Sequence, residues 1–443
     1  MRTVRIGAGA GYSGDRIDPA VELAAQGRLQ YLVFECLAER TIALAQKARL
    51  LDAEAGYDPL LEERMEAVLP LCTENRVRII SNMGAANPVS AARKTREIAQ
   101  RLGMRGVRIA AVTGDDVLPA ILQGDPAISG DCALAGIPSE RLVSANAYLG
   151  ADALLPALEL GADVILTGRV ADPSMFVAPL LHEFGWPPDD WNLLGQATVV
   201  GHLLECAGQL TGGYFADPPH SFVADLARLG FPLAEVSADG SAFLSKVEGS
   251  GGMMTRATCI EQLLYEVQNP AAYLTPDVVA DFSGVQLEVA GPDRMRVSGG
   301  RGKPRPNTLK VSVGCHEGFV GEGQISYAGA GALARAELAR DILAERLSAC
   351  HLTELRFDFI GVNSILGSLS HADCQPQEVR LRAIGRAPSE KLAGRIPREV
   401  EALYTNGPAG GGGVSRSVRE TIGIVSAFIP RTKVEPAIHF EES

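Results

Sequence analysis

Over its first 220 residues the chain alternates apolar runs of strand length with amphipathic stretches of helix length, and nothing else in the sequence restricts the fold as strongly. "VRIGAGA" (4–10) is followed by "DPAVELAAQG", where Asp18 and Pro19 open a helix and Gly27 stops it. "LQYLVFECL" then precedes the helical "ERTIALAQKARLLDAEAG". "VRIISNMG" precedes "NPVSAARKTREIAQRLG", in which Asn87 and Pro88 start the helix and Gly103 ends it. "VRIAAVTGDD" and "ADVILTGRVADPS" repeat the apolar run. Apolar strands separated by helices form parallel sheets covered on both faces, because parallel neighbours need a crossover and the crossover helix lies on the sheet. The expectation is an α/β fold for residues 1–220: a mostly parallel sheet with helices on both faces.

This fold places the polar residues. Ligands of parallel α/β sheets sit beyond the carboxyl ends of the strands. Each run here ends in such a cluster: Ser13, Asp15 and Arg16; Glu35, Glu39 and Arg40; Asn82 and Asn87; Asp115 and Asp116; Asn146 and Tyr148; Thr167, Arg169, Asp172 and Ser174. Asp18, Asn87 and Asp172 stand before prolines and read as helix caps. Capping does not call for Arg16, Glu35, Asn82 and Arg169, so these are expected to line one rim.

"GAGAGYSG" (7–14) contains G-x-G-x-x-G at Gly9, Gly11 and Gly14. The following helix starts near Pro19, too late for a pyrophosphate to rest on its N-terminus, so a nicotinamide or flavin site is not expected. No Walker lysine motif or G-x-S-x-G elbow occurs. The motifs require no cofactor.

Beyond "GHLLECAGQLTGGYFADPP" (201–219) the rhythm breaks into short strand-like runs, glycine turns and the helical "AGALARAELARDILAERL". Residues 221–443 are therefore expected to form a smaller α+β domain. Near its end "NGPAGGGGVSRS" carries four consecutive glycines, Gly410 to Gly413. Their unhindered backbone N–H groups, including those of Gly411 and Gly412, with Ser415 and Arg416 in an expected helical first turn, suit a phosphate or carboxylate. A mobile surface hairpin is the alternative.

The formal charge of −12 argues against a nucleic-acid surface. Eight cysteines (36, 72, 132, 206, 259, 315, 350, 374) lack C-x-x-C spacing and fit reduced thiols. His202 and Cys206 share a helix face, and "GCHEGF" joins Cys315, His316 and Glu317, but neither spacing predicts a metal site. Acid–base work by His202, Glu205 or His316 is left open. With no signal-peptide pattern and no run of membrane-span length, a cytoplasmic, non-membrane protein is expected.

"GAGAGYSGDRIDPAVELAAQGRLQYLVFECLAERTIALAQ", "ISNMGAANP", "ILTGRVADPS", "KVEGSGGMM" and "TNGPAGGGGVSRS" resemble the acyclic terpene utilisation family AtuA over nearly the whole chain. The resemblance implies a place in the breakdown of citronellol- and geraniol-type acyclic terpenes and branched acids, handled as acyl-CoA thioesters. It assigns no catalytic residue. It also implies a small ferredoxin-like partner subunit, since some relatives carry such a domain that this chain lacks.

The leading expectation is a lyase of hydratase type acting on a small carboxylate or acyl-CoA, with Glu35, Asp172 and Asp15 as acid–base groups. Arg16, Asn82, Tyr148 and Arg169 would bind substrate, with Gly411, Gly412, Ser415 and Arg416 on a phosphate or carboxylate. Isomerisation or carbon–carbon cleavage would use the same parts. The alternative is a non-catalytic acyl-CoA-binding or scaffold subunit. In either case a homo-oligomer is expected.

Overall fold

A computed structural model of the chain describes residues 2–124, 128–130, 134, 136–367 and 376–443. Two of the eight cysteines, Cys132 and Cys374, lie outside the described residues; the other six are free thiols. The alternation seen in the sequence is realised as β1 (Thr3–Ala10), α1 (Asp18–Gln26), β2 (Tyr31–Phe34), α2 (Glu39–Leu51), α3 (Leu61–Asn75), β3 (Arg78–Ser81), α4 (Pro88–Arg101), β4 (Arg108–Thr113), β5 (Leu142–Ala147) and β6 (Val164–Thr167). Two further helices come next, α5 (Ser174–Phe184) and α6 (Trp191–Glu205).

Strands β1, β2, β3, β6 and β4 lie side by side in that order and run parallel. Every residue of β2 and β6 is buried, as a sheet covered on both faces requires. Helices α1, α3 and α4 pack in sequence against one another, with α1 on β1 and α4 on β4. Helices α5 and α6 pair with each other and touch β1. The cap signals were sound for α4, where Asn87 accepts a hydrogen bond from the Ser90 N–H and Pro88 stands at the first turn.

The change of rhythm near residue 220 marks a change of strand direction. β7 (Pro232–Ser237) pairs antiparallel with β1, and β8 (Ala242–Lys246) continues the same sheet. After α7 (Arg256–Leu264), β9 (Gln286–Gly291) and β10 (Arg294–Ser298) extend it further. The far edge is closed by β15 (Ala437–Glu442), antiparallel to β4, giving ten strands in the order β9-β10-β8-β7-β1-β2-β3-β6-β4-β15.

Two compact units divide the chain: Met1–Gly314 with Ile424–Ser443, and Cys315–Gly423. The division does not coincide with the boundary expected at residue 220. It falls inside two long strands, β11 (Thr308–Ala328) and β14 (Gly412–Pro430). In the second unit, Phe319–Ala328 of β11 and the whole of β12 (Glu354–Ile360) pair antiparallel with β13 (Glu378–Ala387). Helices α8 (Ala332–Ser348) and α9 (Arg395–Asn406) cover β13, burying Ile325, Leu343, Leu381 and Val400. The chain is thus α/β with a large mixed sheet, accompanied by an antiparallel sheet.

Candidate active site at the strand ends

The register of the parallel strands sets the site. Phe34 pairs with Ser81, and Ser81 with Leu166, so the residues just beyond β2, β3 and β6 emerge level with one another. Glu35 and Asn82 meet there: the Asn82 amide donates to Glu35 Oε1 at 3.0 Å, and Asn82 Oδ1 accepts from the Cys36 N–H at 2.7 Å. The Leu37 N–H also donates to Glu35 Oε1, at 2.8 Å. Burial pushes the Glu35 carboxyl up and the Asp172 charge adds to this against Arg169, so its pKa stands at about 8. Glu35 is therefore a protonated acid at neutral pH.

Arg169 stands just past β6 and is 2% exposed. Its Nη2 donates to Asp172 at 2.8 Å, and its backbone N–H donates to Asp115 Oδ2 at 2.8 Å. Asp115 also accepts from the Asn146 amide at 2.8 Å, and burial lifts its pKa to about 6. Gly168 is required beside it, because a Cβ there would fall 2.5 Å from an Asp115 carboxylate oxygen. The guanidinium stacks on the Tyr148 ring, whose hydroxyl donates to Glu39. Lys310 donates to the same Glu39 oxygen at 3.1 Å. Burial opposes ionisation of Glu39, but Tyr148, Arg169 and Lys310 outweigh it and bring its pKa to about 2.

Two guanidinium nitrogens of Arg169, Nε and Nη1, have no hydrogen-bond partner although they are buried. A buried cation with unspent donors is suited to a carboxylate or a carbonyl oxygen. Asp172 caps no helix: the turn before α5 has no side-chain cap, and the carboxylate is given to Arg169. It sits in a recess with 33% of its side chain exposed, while the protein around it still pushes its carboxyl upward by desolvation.

Of the residues expected at the rim, Glu35, Asn82, Tyr148, Arg169 and Asp172 thus share one contact network. Asp15 does other work: its carboxylate accepts from the Gly11 and Arg16 N–H groups at 2.9 and 2.8 Å and so closes its own loop. Arg16 is directed to the Ala227 carbonyl at 3.1 Å and to Asp18 at 3.3 Å, outside the network. The loop after β1 encloses a residue that sequence reading passed over. Arg64 is completely buried and donates to the Ser13 and Asp15 carbonyls, at 2.8 and 3.2 Å, and to Asp58 at 3.2 Å. Ser13 in turn donates to Asp58 at 2.6 Å. A signal existed: Arg64 lies among Leu61, Met65 and Val68, on the apolar stripe of α3.

The glycine loop belongs to the second unit. The helical turn expected after it is instead the extended start of β14. Arg380 of β13 binds the Gly413 carbonyl at 3.1 Å and the Ser415 hydroxyl at 2.9 Å, while Arg416 pairs with Glu401. Gly411 packs over Ile325 and Tyr327, where a Cβ would lie 2.8 Å from Ile325 Cδ1. Lys246, a further anion candidate in the first unit, is taken up by the Ser250 carbonyl and Asp293.

Among the described residues no group of three or more His, Cys, Asp or Glu side chains is placed to hold a metal ion. No described helix is long and apolar enough to cross a membrane. Comparison with curated proteins and with solved structures gives no match. The description "Acyclic terpene utilisation family protein AtuA" matches residues 4–440. With all but a few terminal residues covered, the chain belongs to the acyclic terpene utilisation family AtuA, and its role is catabolic.

Proposed function

We propose that the strand-end network is the active site of a catabolic lyase of hydratase type, acting on a small carboxylate or acyl thioester derived from an acyclic terpene. The supporting observation is the pairing of a protonated acid, Glu35, with a buried guanidinium that keeps Nε and Nη1 unspent. Arg169 would hold the substrate carboxylate or thioester oxygen, where negative charge grows as a proton leaves the neighbouring carbon. Asp172, partly open to solvent and charge-balanced by Arg169, would take that proton. Glu35 would deliver one to the departing hydroxyl, and the reverse sequence adds water. Asn82 positions Glu35, and Tyr148 fixes the plane of the guanidinium.

Positioned acid–base groups contribute about 10²–10⁴-fold to rate. In a strain that lacks the native copy, the wild-type gene should restore growth on citronellol while Glu35→Gln and Arg169→Ala should not. If both variants fold, bind ligand and support normal growth, the catalytic reading fails.

A second reading, a non-catalytic acyl-CoA-binding subunit, draws on the other unit. There Lys391, Arg398 and Arg416 border an open depression beside Gly394 and Val418, suited to phosphate. On that reading CoA esters bind, and growth is indifferent to Glu35 and Arg169. A separate ferredoxin-like subunit and a homo-oligomeric assembly belong to either proposal; the mass of the native complex tests both.

A further inference from the structure

The last turns of α6 hold a second polar group that the site above does not use. His202 Nδ1 and Glu205 Oε1 are 2.7 Å apart, and the two residues are 1% and 8% exposed. The imidazole is walled by Tyr273 and Phe282, with ring centroids 5.3 and 5.4 Å away. Gln262 of α7 donates its amide to the His202 carbonyl at 3.0 Å. Three atoms of this group are buried without a partner: His202 Nε2, Glu205 Oε2 and Gln262 Oε1. One unsatisfied atom is an ordinary exception; three on touching residues call for a function.

The group has an outer and an inner neighbour. Outward, Gln262 lines a cleft with Gln209, Tyr214, Phe215, Glu261 and Tyr265. Inward, Cys206 at the end of α6 abuts the end of β1, where a Cβ on Gly11 would lie 2.6 Å from the Cys206 carbonyl carbon. The adjoining Ala10 carbonyl accepts the Glu35 N–H at 3.2 Å. Asp172 acts on both sides, raising the carboxyls of Glu35 and of Glu205. Besides Glu205, the ionisable groups around the imidazole are Cys206 on its own helix, Glu266 after α7, Tyr273, and Asp172 and Glu35 at the rim.

We propose that His202, Glu205 and Gln262 form a proton relay between the cleft beside α7 and the Glu35 site. Glu205 releases the proton of its Oε2 hydroxyl inward and takes the His202 Nδ1 proton at Oε1. The imidazole is recharged at Nε2 from water held by the Gln262 carbonyl in the cleft. One proton enters, one leaves, and no electrons move. Burial lifts Glu205 to about 7 against the opposing imidazole, which keeps it able to give and accept near neutrality. Burial lowers the imidazole pKa, but the Glu205 charge and hydrogen bond outweigh it and hold it above its ordinary value.

The inference rests on the reading of Glu35 as a working acid, yet its test needs no turnover. The full chain is labelled with ¹⁵N-histidine, and the His202 resonances are identified by their loss in His202→Gln. The relay requires the ring to change protonation state between pH 5.5 and 9. Its midpoint should fall in Glu205→Gln, and Gln262→Leu should slow ring-proton exchange with water by roughly a hundredfold, as expected for loss of a positioned proton carrier. A ring fixed in one state across this range overturns the relay whether or not the variants fold. Unchanged exchange in a folded Gln262→Leu protein overturns it as well. Normal growth with Glu35→Gln would instead sink the catalytic reading and leave these resonances as measured.

Discussion

The guanidinium carbon of Arg169 lies 4.1 Å from the centroid of the Tyr148 ring. Stacking of this kind depends on a planar cation, so lysine is no substitute despite its charge. Arg169→Lys is expected to fail on citronellol as fully as Arg169→Ala. Removing the charge altogether leaves Glu39 and Asp172 without their buried partner, a loss of about 3–5 kcal/mol. Urea unfolding of Arg169→Met, with the slope unchanged and the midpoint lowered, checks the figure.

Stability should fall as pH rises from 5 to 8. Glu35 moves from an ordinary 4.5 to about 8, Glu205 to about 7 and Asp115 from 3.8 to about 6. Each folded-state value is raised, so the folded protein binds more protons than the unfolded chain across these windows. The stabilisation is complete below the unfolded values and is lost as pH climbs through the folded ones. Glu35→Gln should flatten this dependence and exceed wild-type stability at pH 8, by an amount on the order of a few kcal/mol. Thermal melts from pH 5 to pH 8 give the slopes; a steeper fall in the variant would contradict the assignment.

Arg64 offers a different kind of test, because it touches structure and not substrate. Arg64→Met strips the Ser13 and Asp15 carbonyls of their donor and leaves Asp58 buried without its counter-charge. A loss of about 3–5 kcal/mol is expected. Faster proteolysis within residues 11–17, seen by mass spectrometry of limited digests, would localise it.

Gly11→Ala should separate α6 from the sheet. Its new methyl would meet main-chain atoms of Cys206 that cannot swing aside, at a cost of about 1–3 kcal/mol. Growth on citronellol should suffer more than stability, since the shift reaches Glu205 and the loop leading to Glu35. A crystal structure of the variant with Cys206 unmoved would refute this.

Arg416 and Glu401 form an exposed pair, so Arg416→Ala should change stability by no more than about 1 kcal/mol. The acyl-CoA-binding reading adds that the same variant binds CoA esters more weakly. Calorimetric titration showing unaltered affinity would remove Arg416 from that reading.

Much of the site was legible because strand ends in a parallel sheet share one level. Once "LVFE", "RIISN" and "ILTGR" are recognised as neighbouring strands, Glu35, Asn82 and Arg169 must come together. Arg16 escaped this logic because the loop after β1 turns about Arg64, a long-range contact that no local spacing encodes. The turn expected before α5 failed for a related reason. Asp172 has the sequence of a cap, but a guanidinium three residues earlier competes for its oxygen and wins. The glycine stretch misled because of the segment on its C-terminal side: "VSRSVRETIGIVSAF" has helical charge spacing, yet its β-branched residues pair into a strand. The break near residue 220 signalled a new domain only if antiparallel strands could not extend a parallel sheet, and here they do.

Strand β15 carries a consequence for how the protein is made. It pairs residues 437–442 with residues 108–113, so that edge of the sheet stays open until the final segment has left the ribosome. Contacts so distant along the chain form slowly, and an unpaired edge invites association with other chains in the meantime. Biogenesis, more than the finished molecule, is where this protein is exposed to aggregation, and chaperone dependence during synthesis should exceed that of the refolded chain.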